Sequence, residues 1–173
     1  MSIVMFPGHL LSPPETFGIV EKGVYRSEAL KTSHFQFLKP LQLRTLLVLS
    51  REPLSKPVSS FLIENKIRLV QLRPDVPKSG MTWKPTSEEQ VKEGLELLLD
   101  KANHPILVTC TTGLHETSAF IGCLRRLQNW NFNSIIVEYR AYAKSKARSL
   151  VEHFIELFDT DFVNLPSNLP EWF

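Results

Sequence analysis

The stretch that decides the fold reads Pro105-Ile106-Leu107-Val108-Thr109-Cys110-Thr111-Thr112-Gly113-Leu114-His115-Glu116-Thr117-Ser118-Ala119-Phe120-Ile121-Gly122-Cys123-Leu124-Arg125-Arg126. Ile106, Leu107 and Val108 are a short apolar run, as expected of a strand buried on both faces. Thr111 to Glu116 is too polar and too small to continue it. Thr117 or Ser118 can cap a following helix, whose apolar face is Ala119, Phe120, Cys123, Leu124 and Leu127. The pattern is strand, cysteine, small loop, helix.

Such a junction aims backbone N–H groups and the positive end of a helix dipole into the loop, which suits an anion. A cysteine placed there is driven toward its thiolate. Phosphoryl transfer through that thiolate also calls for an arginine six residues later, whose fork binds the phosphoryl oxygens in pairs. Position 116 holds glutamate instead.

The chain resembles the plant and fungal atypical dual-specificity phosphatases, the tyrosine-phosphatase-like group that includes the yeast oxidant-induced cell-cycle arrest proteins and the inositol pyrophosphate phosphatases. Their loop typically reads His-Cys-x-x-Gly-Lys-His-Arg-Thr-Gly. Cys110, Gly113, His115 and Thr117 match it; Thr109, Leu114 and Glu116 stand where the leading His, the Lys and the Arg belong. Pro13-Pro14, Phe17-Gly18 and Val24-Tyr25-Arg26-Ser27 resemble the family's opening, Asn103-His104-Pro105 its approach to the loop, and Glu138-Tyr139-Arg140 with Lys146-Ala147-Arg148 its C-terminal helices. The resemblance implies a three-layer α/β cysteine-phosphatase fold and a phosphate loop at Thr111, Thr112, Gly113, Leu114, His115 and Thr117. It also implies basic pocket residues at Lys146 and Arg148, with Arg140 nearby, and an undefined role for Arg26. Protein partners, above all paralogous phosphatase-like subunits, and a phosphate or inositol phosphate ligand are what it implies about binding.

A chain of 173 residues makes about one domain. With 43% hydrophobic and 22% charged residues its composition is that of an ordinary globular protein. A formal charge of +2, without a basic run or interleaved aromatic and basic residues, gives no case for nucleic acid. No apolar segment approaches the ~20 residues that span a bilayer, and the N-terminal apolar patch lacks the basic flank of a secretory signal. Two cysteines cannot build a disulfide framework, which favours a reducing compartment and a cytoplasmic protein. The five His and two Cys show no metal-ligand spacing, so neither a metal nor another cofactor is expected.

In chain order, residues 1 to 12 read as a mobile lead-in and residues 13 to 173 as a single domain. Phe17 to Ser27 reads as a hairpin at one end of a sheet. Thr32 or Ser33 caps a helix carrying Phe35, Phe37, Leu38 and Leu41. Strands at Leu43–Leu49 and Ile67–Leu72 flank a helix with Val58, Phe61, Leu62 and Ile63, and Ser87 starts a helix to about Lys101. Strands alternating with helices imply a mostly parallel sheet. Helices follow at Ser134–Ala143 and Lys144–Phe158, and the tail ends in Trp172-Phe173. The segment from Arg73 to Pro85 holds three prolines and a glycine without periodicity; it leaves the carboxyl end of a strand, as the Cys110 loop does, and the two can share a pocket.

The side chains of the loop set the chemistry. Cys110 and the amides of Thr111 to Glu116 supply a nucleophile and oxygen donors, and Asp75 is the sole carboxylate of the 73–85 segment and the candidate acid. Glutamate in place of arginine removes an attraction and adds a repulsion, each about 4 kcal/mol for a charge pair at 4 Å and an effective dielectric of ~20. Its carboxylate also raises the Cys110 pKa against the helix dipole, unless it is protonated or pairs with Arg140, Lys146 or Arg148. Three readings follow: a phosphatase-like protein that binds rather than turns over, with the Trp83 segment and the Trp172-Phe173 tail as contacts; a working phosphatase with a borrowed cation; and a thiol sensor. In the first, Cys110 is an inert buried thiol and the basic residues are a solvated or salt-bridged helix face.

Overall fold

The structure, a computed structural model, describes residues 11–72 and 86–173. Asp75, Trp83 and most of the N-terminal lead-in lie outside the described residues.

Five strands form one sheet in the order β1-β2-β5-β3-β4: β1 Gly18–Glu21, β2 Val24–Glu28, β3 Thr45–Val48, β4 Arg68–Gln71 and β5 Ile106–Cys110. β1 and β2 make the expected hairpin, antiparallel, and the other neighbours are parallel. β5 is central, and every one of its residues is buried, whereas the edge strand β4 is exposed at Arg68 and Leu69 and half-buried at Val70 and Gln71. Alternation sorts the core. Leu46, Val48 and Leu107 face one layer, formed by α1 (Phe35–Leu38) and α2 (Lys56–Glu64), with Val58, Phe61 and Leu62 opposite. Leu47, Leu49, Ile106, Val108 and Cys110 face the other, formed by α3 (Glu88–Leu99) and α4 (His115–Leu127). α5 (Phe132–Ala143) and α6 (Ser149–Leu157) pack outside α4 through Ile135, Tyr139, Val151 and Ile155. Gly122 permits that close approach, since a Cβ there would overlap the Ile155 side chain.

Several boundaries differ from the sequence reading. The strand at 106–108 runs on to Cys110, because β2 and β3 both pair with its last residues. The helix read from Thr32 or Ser33 is a turn of 3₁₀ (Thr32–His34), one α turn and another 3₁₀ turn (Lys39–Leu41). Neither hydroxyl caps it: the His34 ring nitrogen Nδ1 accepts from the Lys31 N–H at 3.1 Å instead. Asn131 caps α5, starting it at Phe132. Lys144, at φ 51°, breaks the last helical stretch, so Lys144–Lys146 is a separate 3₁₀ turn before α6. Trp172 tucks onto the domain: its Nε1–H donates to the Lys22 carbonyl at 3.2 Å and its ring stacks on His104.

Among the described residues, no helix is long and apolar enough to cross a membrane. Among them too, no group of three or more His, Cys, Asp or Glu side chains is placed to hold a metal.

Candidate functional site

The Cys110 loop lies at the carboxyl end of the central strand, with Cys110 opposite Glu28 of β2. Gly113 turns the chain at φ +68°, and a Cβ there would overlap the Thr16 hydroxyl and press on the backbone of Ser27 and Glu28. Only glycine fits so tight a turn against β2. α4 begins directly after it, at His115, with Leu114 in the N-cap position and no side-chain cap. The expected cap at Thr117 or Ser118 is therefore absent; both lie inside the first turn, buried, and the Ser118 hydroxyl serves the loop instead.

Arg26 explains why. It is 1% exposed, and its Nη2 donates to the Gly113 carbonyl at 2.8 Å and to the Ser118 hydroxyl at 2.7 Å. Its guanidinium lies 3.6 Å from the centre of the Tyr142 ring, and its Nε has no partner. Among the described residues no carboxylate pairs with it. Burial therefore pushes its pKa down, opposed by the neighbouring Tyr142, Glu138 and Cys110. Arg26 ties the two halves of the loop together from beneath.

Cys110 is 1% exposed. Burial pushes its thiol up, and the Glu116 carboxylate, close enough to take a hydrogen bond from the thiol, pushes it further. The Thr117 N–H acts in the opposite sense; its hydroxyl, without any other partner, lies alongside the sulfur. The dipole and amide donors of the helix start are thus outweighed, and the sulfur is held as a thiol. Such a group is a poor target for oxidants, which act on exposed thiolate.

Glu116 is half-buried and turned to the sulfur. Of the pairings open to Glu116, the one with Arg140 does not form: Arg140 reaches away to Glu152, with Nε and Nη2 donating at 2.7 and 2.9 Å. Lys146 and Arg148 stand on the His115 flank, where their charges lower the His115 pKa together with burial, the larger cause. The His115 Nδ1 lies 3.3 Å from the Tyr139 hydroxyl, which accepts the Arg148 N–H at 2.8 Å, an arrangement that suits a neutral ring. Of the three basic candidates, the structure brings Lys146 and Arg148 toward the loop and commits Arg140 elsewhere.

The sequence reading missed Glu52. It follows β3, and its carboxylate accepts the Thr111 hydroxyl at 2.9 Å. Its own backbone N–H, then the Thr111 and Ser50 hydroxyls, hold that carboxyl below the usual range. The rule that ligands sit beyond strand carboxyl ends covers residues 50–55 as well as the Cys110 loop, and would have pointed to it. The cup therefore keeps the backbone of an anion site while carboxylates stand at its rim.

Residues 11–173 match the tyrosine phosphatase family. The chain belongs to that family. It is 41% identical over 160 residues to the inositol diphosphatase DSP1 of Oryza sativa, covering 92% of this chain and 71% of that protein. To the inositol diphosphatase DSP3 of Arabidopsis thaliana it is 40% identical over 154 residues, covering 88% and 74%. The fold is similar to that of the core catalytic domain of the PP-IP phosphatase SIW14 from S. cerevisiae, solved with citrate. That likeness has a TM-score of 0.79 and 36% identity, over 87% of this chain and 90% of that one. The expected fold class, a mostly parallel sheet between helices, is the one observed, and it matches that of the SIW14 domain.

Proposed function

We propose that this member of the family is a catalytically impaired phosphatase, a pseudophosphatase, that works by binding proteins. The observation that carries the reading is Glu116 aimed at the Cys110 sulfur from the position where a loop arginine would clamp phosphate. An incoming phosphoryl group meets a protonated nucleophile and a glutamate carboxylate where a loop arginine's fork of donors would stand. Its relatives' names point to inositol pyrophosphate signalling as the setting, and the resemblance to the oxidant-induced cell-cycle arrest proteins adds a stress response. Paralogous phosphatase-like subunits in a cytoplasmic complex are the partners this reading favours.

One observation supports a second reading, an active phosphatase on phosphoprotein or inositol pyrophosphate with Cys110 as nucleophile. The helix start and Gly113 turn are intact, and Arg26 supplies a buried cation near the sulfur. Turnover separates the two. Purified protein assayed on a phosphotyrosine ester and on an inositol pyrophosphate is expected to give no rate that Cys110→Ser abolishes. Such a rate would overturn the binding reading. The double variant Glu116→Arg with Leu114→Lys is expected to lower the pH at which Cys110 alkylates by about 1 to 3 pH units and to bind phosphate.

A further inference from the structure

On the β3 side of the Cys110 loop the molecule opens into a groove of about 200 Å³. Its floor is apolar, with Leu30, Leu46, Val48 and Val58, and Glu52 and Thr111 stand at its polar side. Pockets that hold whole small molecules run to about 300–1,000 Å³. This one has room for one or two side chains.

The Glu52 carboxylate is set in advance. Gln71 Nε2 donates to the Ser50 and Glu52 carbonyls at 2.9 Å each, pinning the backbone, and the Thr111 hydroxyl fixes the carboxylate itself. Ion pairs among the described residues engage neither Glu52 nor Glu116. Glu52 holds the Thr111 hydroxyl and Glu116 acts on Cys110, while the charges of Lys146 and Arg148 act on His115. An apolar trough with a fixed, cation-less carboxylate at its rim complements a hydrocarbon stem that ends in a positive charge. Acidic or phosphorylated side chains are repelled there.

Resting on the binding reading above, we propose that this groove receives a lysine or arginine side chain from a basic segment of a partner protein. The aliphatic stem lies over Leu46, Val48 and Val58, and the cation meets Glu52. Thr111, the first residue of the phosphate loop, thereby becomes part of the wall of a site for basic peptide.

The test is a ¹⁵N NMR titration of the full chain with three synthetic peptides of glycine, serine and alanine that differ only at the centre: lysine, norleucine or glutamate. The lysine peptide is expected to shift the amides of residues 50–55 and 109–112. It should bind about fivefold more tightly than the norleucine peptide at low ionic strength, the upper range for an exposed ion pair. That preference should vanish in Glu52→Gln and at high salt, while Val58→Phe, checked for folding by its spectrum, should block both peptides. Equal binding of lysine and norleucine, a lysine preference retained in Glu52→Gln, or tighter binding of glutamate would overturn the proposal. So would shifts of the same amides on diluting the protein alone, which would make the occupant a second copy. Failure here without Cys110-dependent turnover removes the groove assignment and leaves the pseudophosphatase reading standing; such turnover removes that reading, whatever the peptides do.

Discussion

Two buried arginines, on either side of the β2–α4 contact, are treated in opposite ways. Arg125, 3% exposed, joins Glu21 at 2.6 Å and Glu138 at 3.0 Å, donates to the Val20 carbonyl and Gln128, and stacks on Trp130. Its neighbours raise its pKa against the cost of burial. Arg26 has a carbonyl, a hydroxyl and a ring, but among the described residues no carboxylate, and its pKa is pushed down. The first is a neutralised cross-link between β1, α4 and α5. The second leaves its charge to the cup. A protein tolerates an uncompensated buried cation where function has required one nearby, so the difference marks which end of the fold was built for an anion.

Arg125→Met should have the largest effect, because it strands two partly buried carboxylates. A loss of about 3 to 5 kcal/mol in urea unfolding is expected, with the pH profile of Cys110 alkylation unchanged. A shifted profile would break the distinction drawn above. Arg26→Met should cost less, about 2 kcal/mol, since lost charged hydrogen bonds are offset by relief of burial. Its mark is the upward move of the Cys110 alkylation profile, and Arg26→Lys should restore part of it by returning the charge.

The smallest effect is a pH dependence at the rim. Burial lowers the pKa of His34 and of His115 below the unfolded value of about 6.5. Between that value and the folded one the unfolded chain binds more protons, so stability is full above about pH 6.5 and falls as the pH drops. Thermal melts from pH 7 to pH 5 should show this slope, flattened in the double variant His34→Gln with His115→Gln. An unchanged slope would place the titrating groups elsewhere.

Much of the fold was readable because local patterns and tertiary packing agree. The run at 106–108, the period of Val91, Leu95, Leu98 and Leu99, and the prolines around 53 and 57 each encode one element whatever surrounds them. The short helix at 35–38 was misread because its aromatic residues serve packing, with Phe35 stacked on Phe61 and Phe37 edge-on to Phe17, rather than a helical face. The start of α4 was misplaced where a cap was inferred from residue type, since the Ser118 hydroxyl is claimed by Arg26, far away in sequence.

By itself the amino-acid order determined the family, the element order and the replacement of a cation by Glu116 at the loop, for these depend on residue identity and short-range spacing. Only the tertiary structure decided that Glu116 turns to the sulfur, that Arg140 is committed to Glu152, that Arg26 clamps the loop from beneath and that Glu52 stands beside Thr111. Each of those contacts joins residues whose distance is set by strand pairing and helix packing, and electrostatic energy follows that distance and the burial around it.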